Sequence, residues 1–371
     1  MSSHHWRVRL VGVDLSDEAR TIIEDLIAEN ERLRAQLEDV RLNQTARPVA
    51  APAPGASSRE APSRAPTLDT RRFSDTRMLI TASAEGGIKR TELNLYYRQR
   101  RAGLGNYDLK TREGDPVQFL AVAEAADTLL VLSQSGRAYR LAVADIPLTE
   151  RNARGESLPK LLNWAADERL AAILGFSEAD QERYVILGSR TGFVKRMRGH
   201  YFGSSLEQGK VVLDPRQTGG PAATMCLSNG KADILMVSSG GMSTRFNIST
   251  APLQAGPGIK LSGKDTLVGI APVFEESVVV VVTRDGLGTR RLMEGFTPNK
   301  APGAAGKIMM KSDEVVGIAV APDEADLVCL TSFGKLIRFT ADEIPAKTAP
   351  VQGVDIVDVR GDAVTAVLAL E

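Results

Sequence analysis

The sequence predicts an all-β domain of six propeller-like blades with four strands each, preceded by a short α-helical coiled coil and a flexible linker. Three observations predict the blades. From Met78 onward a glycine followed four residues later by arginine occurs six times, at Gly86–Arg90, Gly136–Arg140, Gly192–Arg196, Gly241–Arg245, Gly286–Arg290 and Gly334–Arg338. Successive arginines lie 50, 56, 49, 45 and 48 residues apart. Apolar runs precede the turns, among them TLLVLS at 128–133, VVVVVT at 278–283 and LVCLT at 327–331. A period of about 50 residues with several strands per unit marks a radial β array, because one blade cannot bury both of its faces. Six neighbours can close a shared core.

Bulk composition sets the outer limits. The chain has 371 residues, 43% apolar and 25% charged, which is long enough and apolar enough for a large core. Its formal net charge is zero, which argues against coating nucleic acid by overall charge and leaves local patches open. Cys226 and Cys329 sit in apolar runs and read as reduced core residues, not as a disulfide or a metal pair. No apolar run reaches about 18 residues, so no membrane span is expected. No secretory signal is visible, and a cytoplasmic protein is the expectation.

In chain order, residues 1–15 read as a disordered arm, with His4 and His5 lacking further metal ligands nearby. Residues 16–45 read as a helix with acidic Asp17 and Glu18 in its first turn. Ile23, Asn30 and Leu37 fall at heptad position a, and Leu26, Leu33 and Val40 at d. A lone Asn at a favours a parallel two-stranded register, so a homodimer is predicted. The bland alternative is a helix that packs on its own domain. Residues 46–70 are dominated by Pro, Ala, Ser and Gly and read as a tether that buries no core. From 71 to 371 the blades follow. Each repeat also has a second glycine turn before a short apolar stretch, as in Gly209-Lys-Val-Val-Leu and Gly306-Lys-Ile-Met-Met.

One loop occurs once. Arg98, Arg100 and Arg101, with Lys110 and Arg112 close behind, form the densest cationic cluster of the repeats, and Gly103 and Gly105 lie within it. Arginine's planar fork suits phosphate, and glycine lets backbone amides approach the oxygens.

The run Gly87-Ile-Lys-Arg-Thr-Glu-Leu, with Tyr97-Arg-Gln-Arg-Arg-Ala-Gly-Leu-Gly and Leu109-Lys-Thr-Arg-Glu-Gly-Asp, resembles the first blade of the C-terminal domain of bacterial DNA gyrase A. The stretch from Leu129 through Arg140 to Gly155 is similar to the second blade. The resemblance extends over residues 72–371, and also to the corresponding C-terminal domain of topoisomerase IV. It implies a β-pinwheel, a propeller whose blades exchange strands, which binds and bends DNA on a basic rim. The gyrase hallmark is Gln-Arg-Arg-Gly-Gly-Lys-Gly; here Gln99, Arg100, Arg101, Gly103 and Gly105 match, while Ala102 and Leu104 depart. The box is associated with chiral wrapping in gyrase, so the departures bear on wrapping rather than on binding. The segment ahead of the repeats is too short for a breakage–reunion region. The expectation is therefore a free-standing pinwheel that does not cleave DNA.

Each repeated arginine has two readings. It can hold neighbouring blades through carbonyls or carboxylates, or it can contact phosphate. The second is favoured where cations adjoin, as at Lys89 with Arg90, at Lys195 and Arg196 with Arg198, and at Arg290 with Arg291; Arg140 and Arg245 complete the candidates. Arg338 is a weaker candidate because the last repeat is acidic. No nucleophile elbow, metal-ligand cluster or phosphate-cradling loop is present, and no cofactor is expected. The favoured expectation is a non-catalytic protein that binds and bends duplex DNA, wrapping or bridging it, in nucleoid organisation or topoisomerase support. The rival is a scaffold that docks a topoisomerase or chromosome-segregation partner.

Overall fold

The computed structural model describes residues 76–165 and 167–370. The residues expected to form the arm, the helix with its dimer seam and the tether lie outside the described residues. Within them, six sheets are arranged as six blades, almost entirely β.

Each blade is built on one hairpin, and the turn of that hairpin recurs in chemistry as well as in spacing. The first strand ends in a buried Ser or Thr: Ser83, Ser133, Ser189, Ser238, Thr283 or Thr331. Its hydroxyl accepts the backbone N–H four residues on, as at Gly87 (2.9 Å), Arg137 (3.1 Å) and Lys335 (3.1 Å). The glycine between them takes a positive φ, 87° at Gly86 and 76° at Gly136, which side chains other than hydrogen resist.

The hairpins are flanked as follows. In blade 1, Arg77–Ser83 and Gly87–Glu92 lie between an inner strand, Val117–Glu124, and an outer one, Glu156–Ser157. The outer strand belongs to the next repeat. Blade 2 (hairpin Thr128–Ser133 and Arg137–Ala142) receives Lys210–Val211, and blade 3 (Tyr184–Ser189 and Phe193–Arg198) receives Gly256–Pro257. Blade 4 (Asp233–Ser238 and Met242–Asn247) receives Lys307–Ile308, and blade 5 (Val278–Thr283 and Leu287–Leu292) receives both Ala346–Lys347 and Val354–Asp355. Blade 6 (Asp326–Thr331 and Lys335–Thr340) receives Asn106–Tyr107 from the first repeat, which closes the ring. This exchange is the pinwheel arrangement. It assigns the short stretch after each second glycine turn to the preceding blade. Gly256–Pro257 is one of these exchanged strands.

Hydrophobic clusters lie between blades. In blade 2, Leu129 and Val131 pack toward blade 1, while Leu130 and Leu132 pack toward blade 3. Strands buried on both faces read as continuous apolar runs, which is why the repeats stand out in the sequence. The last cluster joins Leu79, Leu93 and Tyr96 of the first repeat to Val328, Leu330 and Leu336 of the sixth. The innermost strands neighbour one another around a central channel, where Leu120, Val268 and Ile318 are half-buried. Cys226 and Cys329 are free and buried, as expected.

Candidate nucleic-acid interface

The repeated arginines join blades. Arg90 donates from Nε to the Ile146 carbonyl (2.7 Å) and from Nη2 to that of Ala144 (3.1 Å) in blade 2. Arg196 donates to the Ile248 carbonyl of blade 4, and Arg290 to the Ile344 carbonyl of blade 6. Arg245 reaches the Met293 and Phe296 carbonyls of blade 5 and also pairs with Asp233 and Glu275. Arg338 pairs with Asp326 and reaches the Leu93 and Tyr96 carbonyls of blade 1. The carbonyls sit at the short 3-10 turn that follows each hairpin, where helical partners run out. Arg140 differs: its Nη2 donates to Thr128 of its own blade, and the Gln208 side-chain amide spans the seam by pairing with the Arg140 backbone.

Burial removes four predicted phosphate contacts. Arg245, Arg290 and Arg291 are 5%, 4% and 2% exposed, and Lys89 is fully buried. Arg291 donates to the Met309 and Thr348 carbonyls and packs on the Phe296 ring. Lys89 Nζ lies 2.5 Å from Asp108 Oδ1 and donates to the Glu150 carbonyl. Asp108 also accepts from Thr81, Thr91 and Tyr96. Burial pulls the Lys89 ammonium below its ordinary range, with Asp108 opposing, and pushes the Tyr96 phenol up. Lys195 is half-buried, and its ammonium, also lowered by burial, donates to the Val212 carbonyl. These groups hold the fold.

The unique loop lies along the sixth repeat, against blade 6 and the strand that this repeat lends to blade 5. Gln99 N donates to the Arg338 carbonyl (2.7 Å), and Ala102 N to that of Ile356 (2.7 Å). Arg101 N donates to Glu343 Oε2 (2.9 Å), and Arg101 Nη1 to the Asp355 carbonyl (2.7 Å). Arg98 Nε pairs with Asp326 at 2.5 Å while the side chain stays 58% exposed. Ala102 holds a φ of 57°, the left-handed region that a glycine would occupy without strain. A Cβ on Gly105 would fall 2.9 Å from the Leu336 carbonyl oxygen. Gln99 and both glycines therefore shape the loop, while Arg100 points outward with no ion pair or side-chain hydrogen bond among the described residues.

Other exposed cations of this kind lie in the rim segments that carry the exchanged strands. Lys110 and Arg112 stand in the first, and Arg151 and Arg154 in the second. A parallel bridge between Leu109 and Ala153 brings these two pairs side by side. Lys210 and Arg216 follow in the third segment, Lys260 and Lys264 in the fourth, Lys300 and Lys311 in the fifth. A second parallel bridge, Lys260 to Ala305, joins the fourth to the fifth. The sixth offers Lys347 against Asp355, Asp358 and Asp362. Sequence reasoning missed most of these cations because they sit in irregular stretches between the conspicuous repeats. The available signal was their position outside the apolar hairpin strands. Arg198 is exposed beside the Tyr184 ring.

The family described as DNA gyrase C-terminal domain, beta-propeller, matches residues 77–124, 127–159, 232–273 and 325–370, which carry the hairpins of blades 1, 2, 4 and 6. The repeat domain is similar to this family over those four segments. DNA gyrase A of Mycobacterium leprae is 27% identical over 303 residues, covering 78% of this chain and 24% of the relative. That of Salmonella typhimurium is 29% identical over 294 residues, covering 77% and 33%. The chain thus spans a quarter to a third of the length of these relatives. A solved DNA gyrase A C-terminal domain superposes with a TM-score of 0.70 at 18% identity, over 80% of this chain and all of the other. A topoisomerase IV C-terminal domain gives 0.56 at 16% identity, over 80% and 93%. Both likenesses are of fold. Among the described residues, no helix is long and apolar enough to cross a membrane.

Proposed function

We propose that this gyrase-type domain binds duplex DNA along its rim without strong sequence preference and bends it, acting without catalysis. The observation that carries this reading is the run of exposed cations, unpaired among the described residues, through five consecutive rim segments from Arg100 to Lys311. Successive phosphates of a bent duplex can be neutralised one after another along such a run, each with release of counterions. The path begins at Arg100, Lys110 and Arg112 and leaves before the acidic sixth segment. Paired through the heptad seam of residues 16–45, two domains on tethers would raise the local concentration of a second DNA segment. Nucleoid organisation or support of a topoisomerase is the setting that fits.

The test is fluorescence anisotropy of mixed-sequence duplexes across a salt series. The triple variant Arg100→Glu, Lys110→Glu, Arg112→Glu should weaken binding to all sequences alike. Each lost phosphate contact should flatten the slope of log K against log salt by about 0.9. Equal binding by the triple variant would refute the path. If the wild type does not bind at low salt, the scaffold reading takes over, with the acidic sixth segment as its favouring observation.

A further inference from the structure

We propose that Leu104 is a wedge that inserts between base pairs of the bound duplex and kinks it at blade 1. The proposal rests on the rim binding DNA and adds how the duplex is bent.

Leu104 is 55% exposed, although its loop is pinned on either side of it. Backbone N–H groups of Gln99, Arg101 and Ala102 are all satisfied by the sixth repeat, and Gly105 N donates to the Gln99 side chain. A Cβ at Gly103 would meet Gln99 Oε1 at 2.7 Å, and one at Gly105 would meet Ile337 Cγ1 at 2.7 Å, so the loop has no slack beneath. The fold thus commits a strained Ala102 and several hydrogen bonds to holding a large aliphatic side chain away from its core.

Its surroundings are those of a group that meets nucleic acid. Arg98, Arg100 and Arg101 are all exposed within six residues. Arg100 is unpaired among the described residues, and Arg98 and Arg101 each retain guanidinium N–H groups beyond those they use on the sixth repeat. Tyr97 and Tyr107, 75% and 52% exposed, flank the loop with flat surfaces suited to sugar edges. Apolar side chains carried on cationic supports partly unstack base steps, and the kink lets more of the duplex reach the protein. A rigid support is what makes insertion effective, because a loose loop would fold the leucine back before prying the bases apart. Weakly stacked steps and mismatches should be the preferred points of entry.

The experiment uses the full chain with two end-labelled duplexes of equal length, one intact and one with a central mismatch. It reads affinity by anisotropy and bend by energy transfer between the ends. Wild type should favour the mismatched duplex by about fivefold or more and bring the ends closer. Leu104→Ala should keep its affinity for intact duplex within about threefold, lose the mismatch preference and bend less. Leu104→Lys separates insertion from surface contact: it adds a cation, so intact affinity should hold or rise while the preference still disappears. Leu104 is exposed, so thermal melts of both variants should match wild type. An unchanged bend and preference in Leu104→Ala would overturn the wedge and leave DNA binding standing. Absence of all DNA binding by wild type would overturn both.

Discussion

Lys89 and Asp108 form an ion pair without access to water, and its energetics differ from those of the rim charges. Desolvating both ions costs nearly as much as their attraction returns, so the pair matters most when half of it is removed. Lys89→Met should destabilise the domain by about 3–5 kcal/mol, because Asp108 is left buried and uncompensated. Lys89→Met with Asp108→Leu should recover only the part of that loss due to the unpaired charge in denaturant melts, because Thr81, Thr91 and Tyr96 then lose their acceptor. Burial pushes the Cys226 and Cys329 thiols from 9.0 up to about 12. The folded values lie above the unfolded one, so this contribution to stability is whole below pH 9 and is lost as pH rises through about 12. Neither thiol should react with an aromatic disulfide reagent at pH 8 until the domain unfolds, and labelling should track the melt.

The two-residue strand Asn106–Tyr107 closes the ring, and everything around it enforces that closure. Arg338 ties blade 6 to the Leu93 and Tyr96 carbonyls, and Asp326 lies between Arg338 and Arg98. Gly105, at φ 68°, admits the exchanged strand against Leu336. Gly105→Ala combines a strained backbone with a contact to a carbonyl that cannot yield. It should cost about 1–3 kcal/mol and speed hydrogen exchange along Lys335–Thr340 before the other blades. The cationic loop was conspicuous in the sequence because it interrupts the repeat. Its attachment to Glu343 and Asp355 was not, since those partners are more than 240 residues away.

Across the whole ring, charge is distributed by segment. Among the described residues, cations without partners line five rim segments, and carboxylates take over in the sixth. A duplex that leaves the rim before the sixth segment does not complete a turn. When relaxed plasmid is incubated with the protein, treated with a nicking-closing topoisomerase and deproteinised, its linking number should therefore stay unchanged although the complex is retarded in a gel. A shift proportional to bound protein would show a completed chiral wrap and extend the path through blade 6.

The repeat, the blade number and the all-β class were set by local chemistry. Two-faced burial demands continuous apolar strands, and a tight turn demands a glycine at a fixed offset from a small hydroxyl, so both recur in the linear order of residues. Which arginine is free and which is a clamp was not decided there. Arg245, Arg290 and Arg100 are alike as residues, and they differ in what the neighbouring blade presents to them. Strand exchange brings the carbonyls of one repeat to the guanidinium of another and leaves the irregular rim cations unpaired. Those contacts are non-local, and only the closed ring creates them.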